Sequence, residues 1–268
     1  MSAFNKFAIL MISITLIACG NARTHVGDAD PNIVNKTASE MSDVSANPDI
    51  RIYHMEGRRS ERIVWLLEEL NMPYELNYQR GDLRATAMML RAVNPEMPMF
   101  PTVFLNDQKM VESGAIIDVI LNRYAPGKLR PALDSPEYGL HTMWMHYAEG
   151  TMAARLFSDY RQWRQNPPTE RSRLVDSEAT VQFAEDHLQA HDWFGGSQFS
   201  AADIMMLFPL EVATGLNLVD GSRFPAVAEW KEKVKARPAY LATMNKARPD
   251  GMIGSLPPVK QHAPSGKR

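Results

Sequence analysis

The sequence predicts two domains in series, an α/β domain followed by an all-α domain. Across residues 50–127, short β-branched and aromatic runs alternate with helical patterns, which is typical of an α/β fold. After residue 135, apolar residues recur at helical spacing and no strand-like run follows. A chain of 268 residues, 45% hydrophobic and 22% charged, is long and apolar enough to build two cores.

Charge and cysteine content exclude several classes of function. The net charge of −2 gives the chain no basic field, so the sequence predicts no nucleic-acid partner. A single cysteine, Cys19, excludes a disulfide framework and a thiolate metal site. Only His187 and His191 have the spacing of a shared helix face, and no carboxylate motif lies between them. We therefore expect no metal site.

The first elements of the α/β domain follow from residue patterns. Ile50 to His54 alternates as a strand does, and Arg59 to Asn71 is an amphipathic helix. Tyr74 to Tyr78 forms a second strand, so strand, helix and strand arrive within one short unit and predict a right-handed parallel pair. Arg84 to Val93 predicts a further helix.

A β-hairpin follows. Thr102 to Leu105 is β-branched and aromatic, Asn106 to Gln108 has turn residues, and Lys109 to Glu112 resumes the alternation. Pro101 is tolerable only at a strand entrance, because proline cannot donate to a strand ladder. Its neighbour Phe100 is therefore held extended, with backbone groups that can serve a ligand.

The start of the next helix predicts an anion-binding corner. Ser113 is a good N-cap for the apolar helix Ala115 to Leu121. This arrangement places Glu112, the Ser113 hydroxyl and several backbone N–H groups at one helix N-terminus. The resulting order βαβαββα is that of a thioredoxin-like domain, which we assign to residues 50–127.

The second domain, residues 135–247, is predicted to be helical throughout. Ser135 and Pro136 announce a helix that continues from Glu137 to Trp163, where apolar residues keep helical spacing. Phe199 to Ile204 contains a capping box of Ser200 and Asp203, whose role we interpret as structural. Further helices are predicted over Arg171–Ala190, Ala226–Ala236 and Ala239–Ala247. Residues 248–268 are rich in Pro, Gly and Lys without periodicity, and we expect them to be disordered.

The N-terminus resembles a bacterial lipoprotein signal. A short polar start is followed by the apolar run Phe7 to Ala18, which has the length of a signal-peptide core. Leu16 to Gly20 resembles a lipobox, which implies removal of residues 1–18 and diacylation of Cys19. Residues 19–49 would be a disordered tether to the cell envelope, and this lipid would be the chain's sole membrane contact. Alternatively, translation starts at Met41 and the protein is cytoplasmic.

Four pieces in the same order resemble the soluble glutathione transferase superfamily. These are the first helix with Arg59-Ser60, Pro101 before the hairpin, Glu112-Ser113 after it, and Phe199 to Ile204. The resemblance covers Arg51 to about Ala247. It implies glutathione as co-substrate, a small electrophile as second substrate, no metal, and a homodimer.

The resemblance also assigns site residues. It implies that Phe100, Pro101, Glu112 and Ser113 bind glutathione. The glutathione thiol, with a pKa of about 8.5, needs a donor beside the sulfur to become a thiolate at neutral pH. In this superfamily a Tyr, Ser or Cys in the loop after the first strand supplies it, which here indicates Tyr53 or, second, Ser60.

Two departures from the superfamily pattern keep another reading open. Gly57-Arg58 stands where many bacterial relatives carry a hydroxyl or thiol. Glu96 to Met99 stands where the family often has a lysine for the glycyl carboxylate. The alternative is therefore a non-catalytic binding module of the same fold, tethered to a membrane.

Overall fold

The computed structural model describes residues 48–266, in which a small sheet with its helices is followed by a helical region. The strands are β1 (Ile50–Tyr53), β2 (Glu75–Asn77), β3 (Thr102–Leu105) and β4 (Gln108–Met110). The helices interspersed with them are α1 (Glu61–Leu70), α2 (Leu83–Val93) and α3 (Ser113–Arg123). The helices after them are α4 (Glu137–Tyr147), α5 (Ala154–Trp163), α6 (Ser177–Leu188), α7 (Ala201–Gly215), α8 (Pro225–Lys235) and α9 (Pro238–Ala247).

The sheet has the strand order β2-β1-β3-β4. β1 and β2 are parallel, with Ile52 opposite Leu76, and β3 is antiparallel to β1, with Val103 opposite Ile52. This topology confirms the predicted thioredoxin-like domain followed by an all-helical domain.

Alternation along β1 and β3 separates the two faces of the sheet. The side chains that point to one face are buried in the same core as the apolar residues of α1 and α3. These sheet residues are Ile50, Ile52, Val103 and Leu105. Arg51, Tyr53 and Phe104 occupy the other face, where Arg51 lies over the Phe104 ring and Tyr53 meets it edge-on.

The start of α3 differs from the prediction. Ser113 is the first helical residue and not the N-cap, which is Glu112, and no side chain caps the helix. The reason is that the Ser113 hydroxyl is buried and accepts a hydrogen bond from Arg62 Nη1 at 3.0 Å.

The predicted helix from Glu137 to Trp163 is interrupted in the middle. A six-residue π-helical segment, Ala148–Ala153, joins α4 to α5. Such segments shift the side chains that follow them around the helix axis and are frequent at functional sites. Here the segment contains Glu149, which faces the first domain.

The capping box at the start of α7 is confirmed. The Ser200 side chain accepts from the first turn, and the Ser200 N–H donates to Asp203 Oδ2 at 2.9 Å. Asp203 also accepts from Phe194 N–H and Trp230 Nε1, so one buried carboxylate ties together three parts of the helical domain. Burial raises the pKa of Asp203 to about 6, although these hydrogen bonds oppose the shift.

The C-terminal segment differs from the expected disorder. Residues 248–266 contain no helix or strand, but they pack on the protein. Val259 is buried, and its N–H donates to Leu216 O at 3.0 Å. The Tyr160 hydroxyl donates to Pro257 O at 3.0 Å. Composition missed this packing because these bonds use backbone groups, which leave no pattern in the sequence.

Cys19, the predicted signal peptide and nearly all of the predicted tether lie outside the described residues. Within residues 48–266, no helix has the length and apolarity to cross a membrane.

Candidate active site

The loop before β3 is fixed by side-chain hydrogen bonds. The Thr102 hydroxyl donates to Met99 O at 2.7 Å, and Asn94 Nδ2 donates to the Thr102 hydroxyl at 3.1 Å. Pro101 is buried and follows a cis peptide bond with Phe100. Because Thr102 pairs with Tyr53 in the sheet, the fold brings the Phe100-Pro101 segment beside the end of β1.

Glu112 has an unusual backbone conformation at the N-terminus of α3. Its φ of 70° and ψ of 105° lie in a region that non-glycine residues rarely adopt, at a cost of order 1–3 kcal/mol. The residue is exposed, so its carboxylate faces solvent beside the first turn of α3. Such strain persists where the surrounding structure requires a particular orientation, and it is concentrated at ligand-binding sites.

Ser113 points in the opposite direction from Glu112. The residue is 3% exposed, and its hydroxyl lies between Arg62 Nη1 and Met205 Sδ. The structure therefore brings Glu112 and Ser113 to one helix N-terminus, as predicted, but directs the Ser113 hydroxyl into the protein.

A charge network around the buried Arg62 lies behind Ser113 and joins the two domains. Glu149 Oε1 accepts from Arg59 Nε at 2.7 Å and from Arg62 Nη1 at 2.5 Å. Burial alone would raise the pKa of Glu149, but the two arginines outweigh it and hold the pKa below its usual range. Arg62 also donates to Met205 O at 2.6 Å. Sequence reasoning missed this network, since nothing in the spacing relates residue 62 to residue 149.

Ser60 has no access to a ligand. It is 0% exposed, and its hydroxyl lies 2.8 Å from His54 Nδ1 and accepts from Met55 N–H at 3.1 Å. Nor does it cap α1 with its side chain. A donor to the glutathione sulfur has to face the site, so this placement argues against Ser60 as the thiol activator.

Tyr53 is half-buried at the end of β1. Its ring contacts Phe104 edge-on, with 5.9 Å between the ring centroids. The ring therefore lies on the sheet face opposite the core of α1 and α3, one residue pair away from Pro101. Of the two candidates for thiol activation, Ser60 is fully buried and Tyr53 is half-buried.

A cavity of about 440 Å³ lies beside the start of α1. Its apolar wall includes Phe157 of α5, Phe208 and Val212 of α7, and Leu256 of the C-terminal segment. Arg58, Arg59, Glu61 and Arg248 are among its charged neighbours.

Glu61, which lines this cavity, has a carboxyl group with a shifted pKa. Its Oε1 accepts from Gly57 N–H at 2.7 Å and lies 3.6 Å from Arg248 Nε. Burial raises the pKa of Glu61 to about 7, and Arg248 only partly offsets the shift. The cavity was not predicted, because part of its wall comes from a segment that the sequence marks as irregular.

Two models of one family match the chain. The N-terminal domain of the glutathione S-transferases matches residues 52–128, and the C-terminal domain matches residues 170–238. The chain belongs to the glutathione S-transferase superfamily. The two matches include Tyr53, Pro101, Glu112 and Ser113.

Individual relatives agree with this assignment. Glutathione S-transferase 3 of Schizosaccharomyces pombe is 28% identical over 74% of this chain and 87% of its own length. The disulfide-bond oxidoreductase YfcG of Escherichia coli is 23% identical over 74% of this chain and 96% of its own length. A glutathione S-transferase structure from Actinobacillus pleuropneumoniae is 28% identical, with a TM-score of 0.61 over 74% of this chain and 92% of that one.

Within residues 48–266, no group of three or more metal-ligating side chains occurs.

Proposed function

We propose that this protein binds glutathione and uses its thiol to attack a small electrophile. The observation that carries the proposal is the strained and exposed Glu112 at the N-terminus of α3. Folding alone does not require a carboxylate in that conformation, whereas a γ-glutamyl group supplies both an ammonium for Glu112 and a carboxylate for the helix N-terminus.

The other contacts to glutathione follow from the neighbouring loop. Phe100 offers backbone groups at the entrance to β3, where an extended peptide pairs without displacing a strand. Ser113 contributes its backbone N–H at the first turn of α3 and, through its hydroxyl, the position of Arg62. Pro101 fixes the path of this loop.

Thiol activation is the catalytic task. Each unit by which the pKa of the bound thiol falls corresponds to about 1.4 kcal/mol of preference for the thiolate. We propose that the Tyr53 hydroxyl donates to the sulfur. The thiolate then attacks the electrophile, forms a bond from sulfur to the electrophilic atom, and displaces the leaving group with its electron pair.

The binding proposal has a direct test at Glu112. Glu112→Ala should weaken glutathione binding by at least ~1 kcal/mol, about fivefold in Kd, because a hydrogen bond to a charged group is lost. Asp118→Ala removes an acid of the same helix outside the corner and serves as the control. Isothermal titration calorimetry measures the glutathione Kd of each variant, and equal affinity in both variants would contradict the proposal.

Disulfide reduction is a second candidate, favoured by the similarity to an oxidoreductase. The only cysteine of the chain is Cys19, so no protein thiol is available within residues 48–266. One glutathione thiolate would attack the disulfide and release a thiolate, and a second glutathione would resolve the mixed disulfide to oxidised glutathione. Turnover of an aryl chloride compared with a small-molecule disulfide distinguishes the two reactions.

A non-catalytic binding module remains the alternative outside enzyme function. Arg58 supports it, because this cation replaces the hydroxyl or thiol of many relatives and donates to Gly254 O at 3.2 Å. If the protein is a binding module, it should bind glutathione without converting the bound thiol to a thiolate at pH 7. Ultraviolet absorbance of the complex separates the two readings.

We also propose that Cys19 carries a lipid that holds the protein at the cell envelope, where it acts as a homodimer. Cys19→Ser should abolish lipid labelling and membrane fractionation while leaving the folded domain soluble, since acyl chains partition at about 0.8 kcal/mol per buried methylene. Labelling with an alkyne fatty acid and cell fractionation report this outcome. Wild-type protein that starts at Met41 and fractionates with the cytoplasm would contradict it.

A further inference from the structure

A second cavity, of about 430 Å³, lies within the helical domain between α6, α7, α8 and the short turn Gly221–Arg223. It shares no lining residue with the cavity beside α1. A volume of this size is within the range of cavities that hold small ligands. The apolar part of its lining is buried and consists of Val181, Leu210, Phe224 and Val227.

Lys231 of α8 brings an ammonium group to this cavity. Its Nζ donates to the Thr214 hydroxyl at 3.2 Å, and both residues line the cavity. Its neighbours on α8 have acidic partners, since Lys233 pairs with Asp192 at 2.9 Å and Lys235 pairs with a glutamate of α7 at 2.7 Å. Among the described residues, no carboxylate forms such a pair with Lys231.

Burial disfavours the charged form of Lys231. Desolvation lowers the pKa of its ammonium group, and repulsion from Lys235 adds to the shift, while attraction from Glu211 and Glu232 offsets it only in part. A larger fraction of this amine is therefore neutral at a given pH than for an exposed lysine. The neutral amine has the lone pair that attacks a carbonyl carbon, and desolvated lysines serve as Schiff-base formers for this reason.

The charges around the cavity favour a neutral ligand. Glu229 and Glu232 also line it, so a carboxylate that approached Lys231 would be repelled by two acids. An aliphatic aldehyde carries no charge, and its alkyl chain is stabilised by contact with the buried apolar residues.

We propose that Lys231 captures aliphatic aldehydes as imines, with the alkyl chain held in the apolar cavity. The amine nitrogen attacks the carbonyl carbon and forms a carbon–nitrogen bond. Both hydrogens of the neutral amine then leave with the aldehyde oxygen as one water molecule, and a carbon–nitrogen double bond remains. The step needs neither an oxidant nor a reductant. It also needs no glutathione, so the site is independent of the proposed function.

Reductive trapping of octanal tests the assignment. The full chain is incubated with octanal and cyanoborohydride, which reduces an imine to a stable secondary amine, and peptide mass spectrometry quantifies each labelled lysine. Labelling of Lys231 should be at least fivefold faster than that of Lys233, the control on the same helix, which is exposed and paired with Asp192. Equal rates at the two lysines would overturn the proposal.

The role of the cavity has its own test in the wild type. Acetaldehyde has the same reacting group as octanal but almost no alkyl chain. The preference for Lys231 over Lys233 should therefore be at least threefold greater with octanal than with acetaldehyde. An equal preference would show that the lysine reacts without the cavity, which contradicts the proposal.

A variant with a smaller cavity checks the same point. Ala228→Leu adds bulk to the lining at an exposed position and leaves Lys231 in place, so octanal labelling of Lys231 should slow at least threefold. Ala236→Leu is the matched control, because Ala236 is exposed at the end of α8 and does not line the cavity. If the two variants label Lys231 at the same rate, the alkyl chain does not occupy the cavity and the proposal is wrong.

Discussion

At the scale of single residues, Glu112 and Ser113 have different roles although they are neighbours. Glu112 is exposed and strained, whereas the Ser113 hydroxyl is buried against Arg62. The substitution Ser113→Ala would therefore weaken glutathione binding partly by disturbing Arg62. Arg62 also donates to Glu149 and to Met205 O. The sequence motif identifies the pair but not the directions of its side chains.

The Tyr53 hydroxyl is the proposed thiol activator, and its removal has a direct spectroscopic consequence. Tyr53→Phe retains the ring packing against Phe104 but removes a hydrogen bond to an anion, worth roughly 1.5–3 kcal/mol. The bound thiol should then titrate about one to two pH units higher, with glutathione affinity little changed. Thiolate absorbance as a function of pH measures this shift.

Ser60→Ala is the contrasting variant for this experiment. Since the Ser60 hydroxyl binds His54 and Met55 inside the protein, its loss should lower stability without moving the thiol titration. If Ser60→Ala raises the titration and Tyr53→Phe does not, the assignment of Tyr53 is wrong.

At the scale of elements, the periodicity of apolar residues predicts those features that local interactions determine. The strands, the helices and the capping box at Ser200 and Asp203 follow from side-chain alternation and short-range hydrogen bonds. The π segment Ala148–Ala153 and the start of α3 do not, and both contain a residue that binds Arg62 of another element. A buried arginine with distant partners has no local signature.

The capping box makes a testable contribution to stability. Ser200→Ala removes the cap of α7 and the neighbour of His141 Nδ1, which lies 3.1 Å from the Ser200 hydroxyl. We expect a loss of roughly 1–2 kcal/mol in the free energy of unfolding, with catalysis unchanged in the folded fraction. Urea unfolding measures the loss, and Gln198→Ala, at an exposed position of the same loop, is the control. A Ser200→Ala variant as stable as the control would show that the cap contributes nothing.

At the scale of the whole molecule, the C-terminal segment and the contact between the domains were beyond prediction. The sequence indicates two domains, but the bonds between them include those from His54 to Ala247 O and from Arg59 and Arg62 to Glu149. Such contacts arise only when the domains have docked. The same is true of the cavity beside α1, whose wall is assembled from α1, α5, α7 and the C-terminal segment.

We expect His54 to make the stability of the folded protein depend on pH. Burial lowers its pKa from 6.5 to about 4, so the ring stays neutral in the folded protein and bridges Ser60 to Ala247 O. The unfolded chain binds a proton below about pH 6.5, whereas the folded protein does not until about pH 4. Folding therefore loses stability as pH falls through this window, by up to about 1.4 kcal/mol per pH unit. Glu61, with its pKa raised to about 7, works in the opposite direction.

The comparison of His54→Gln with the wild type isolates the histidine from Glu61, because both proteins retain the same acid. At pH 7 the variant should be the less stable, since it replaces a buried ring that binds at both nitrogens. As pH falls from 6.5 to 4, the difference in unfolding free energy should shrink. Only the wild type has an unfolded state that is stabilised by protonation of His54 over this range. Urea unfolding at half-unit steps of pH measures the difference. A constant difference across this range would mean that His54 titrates alike in the folded and unfolded chain, and that it does not make the stability of the folded protein depend on pH.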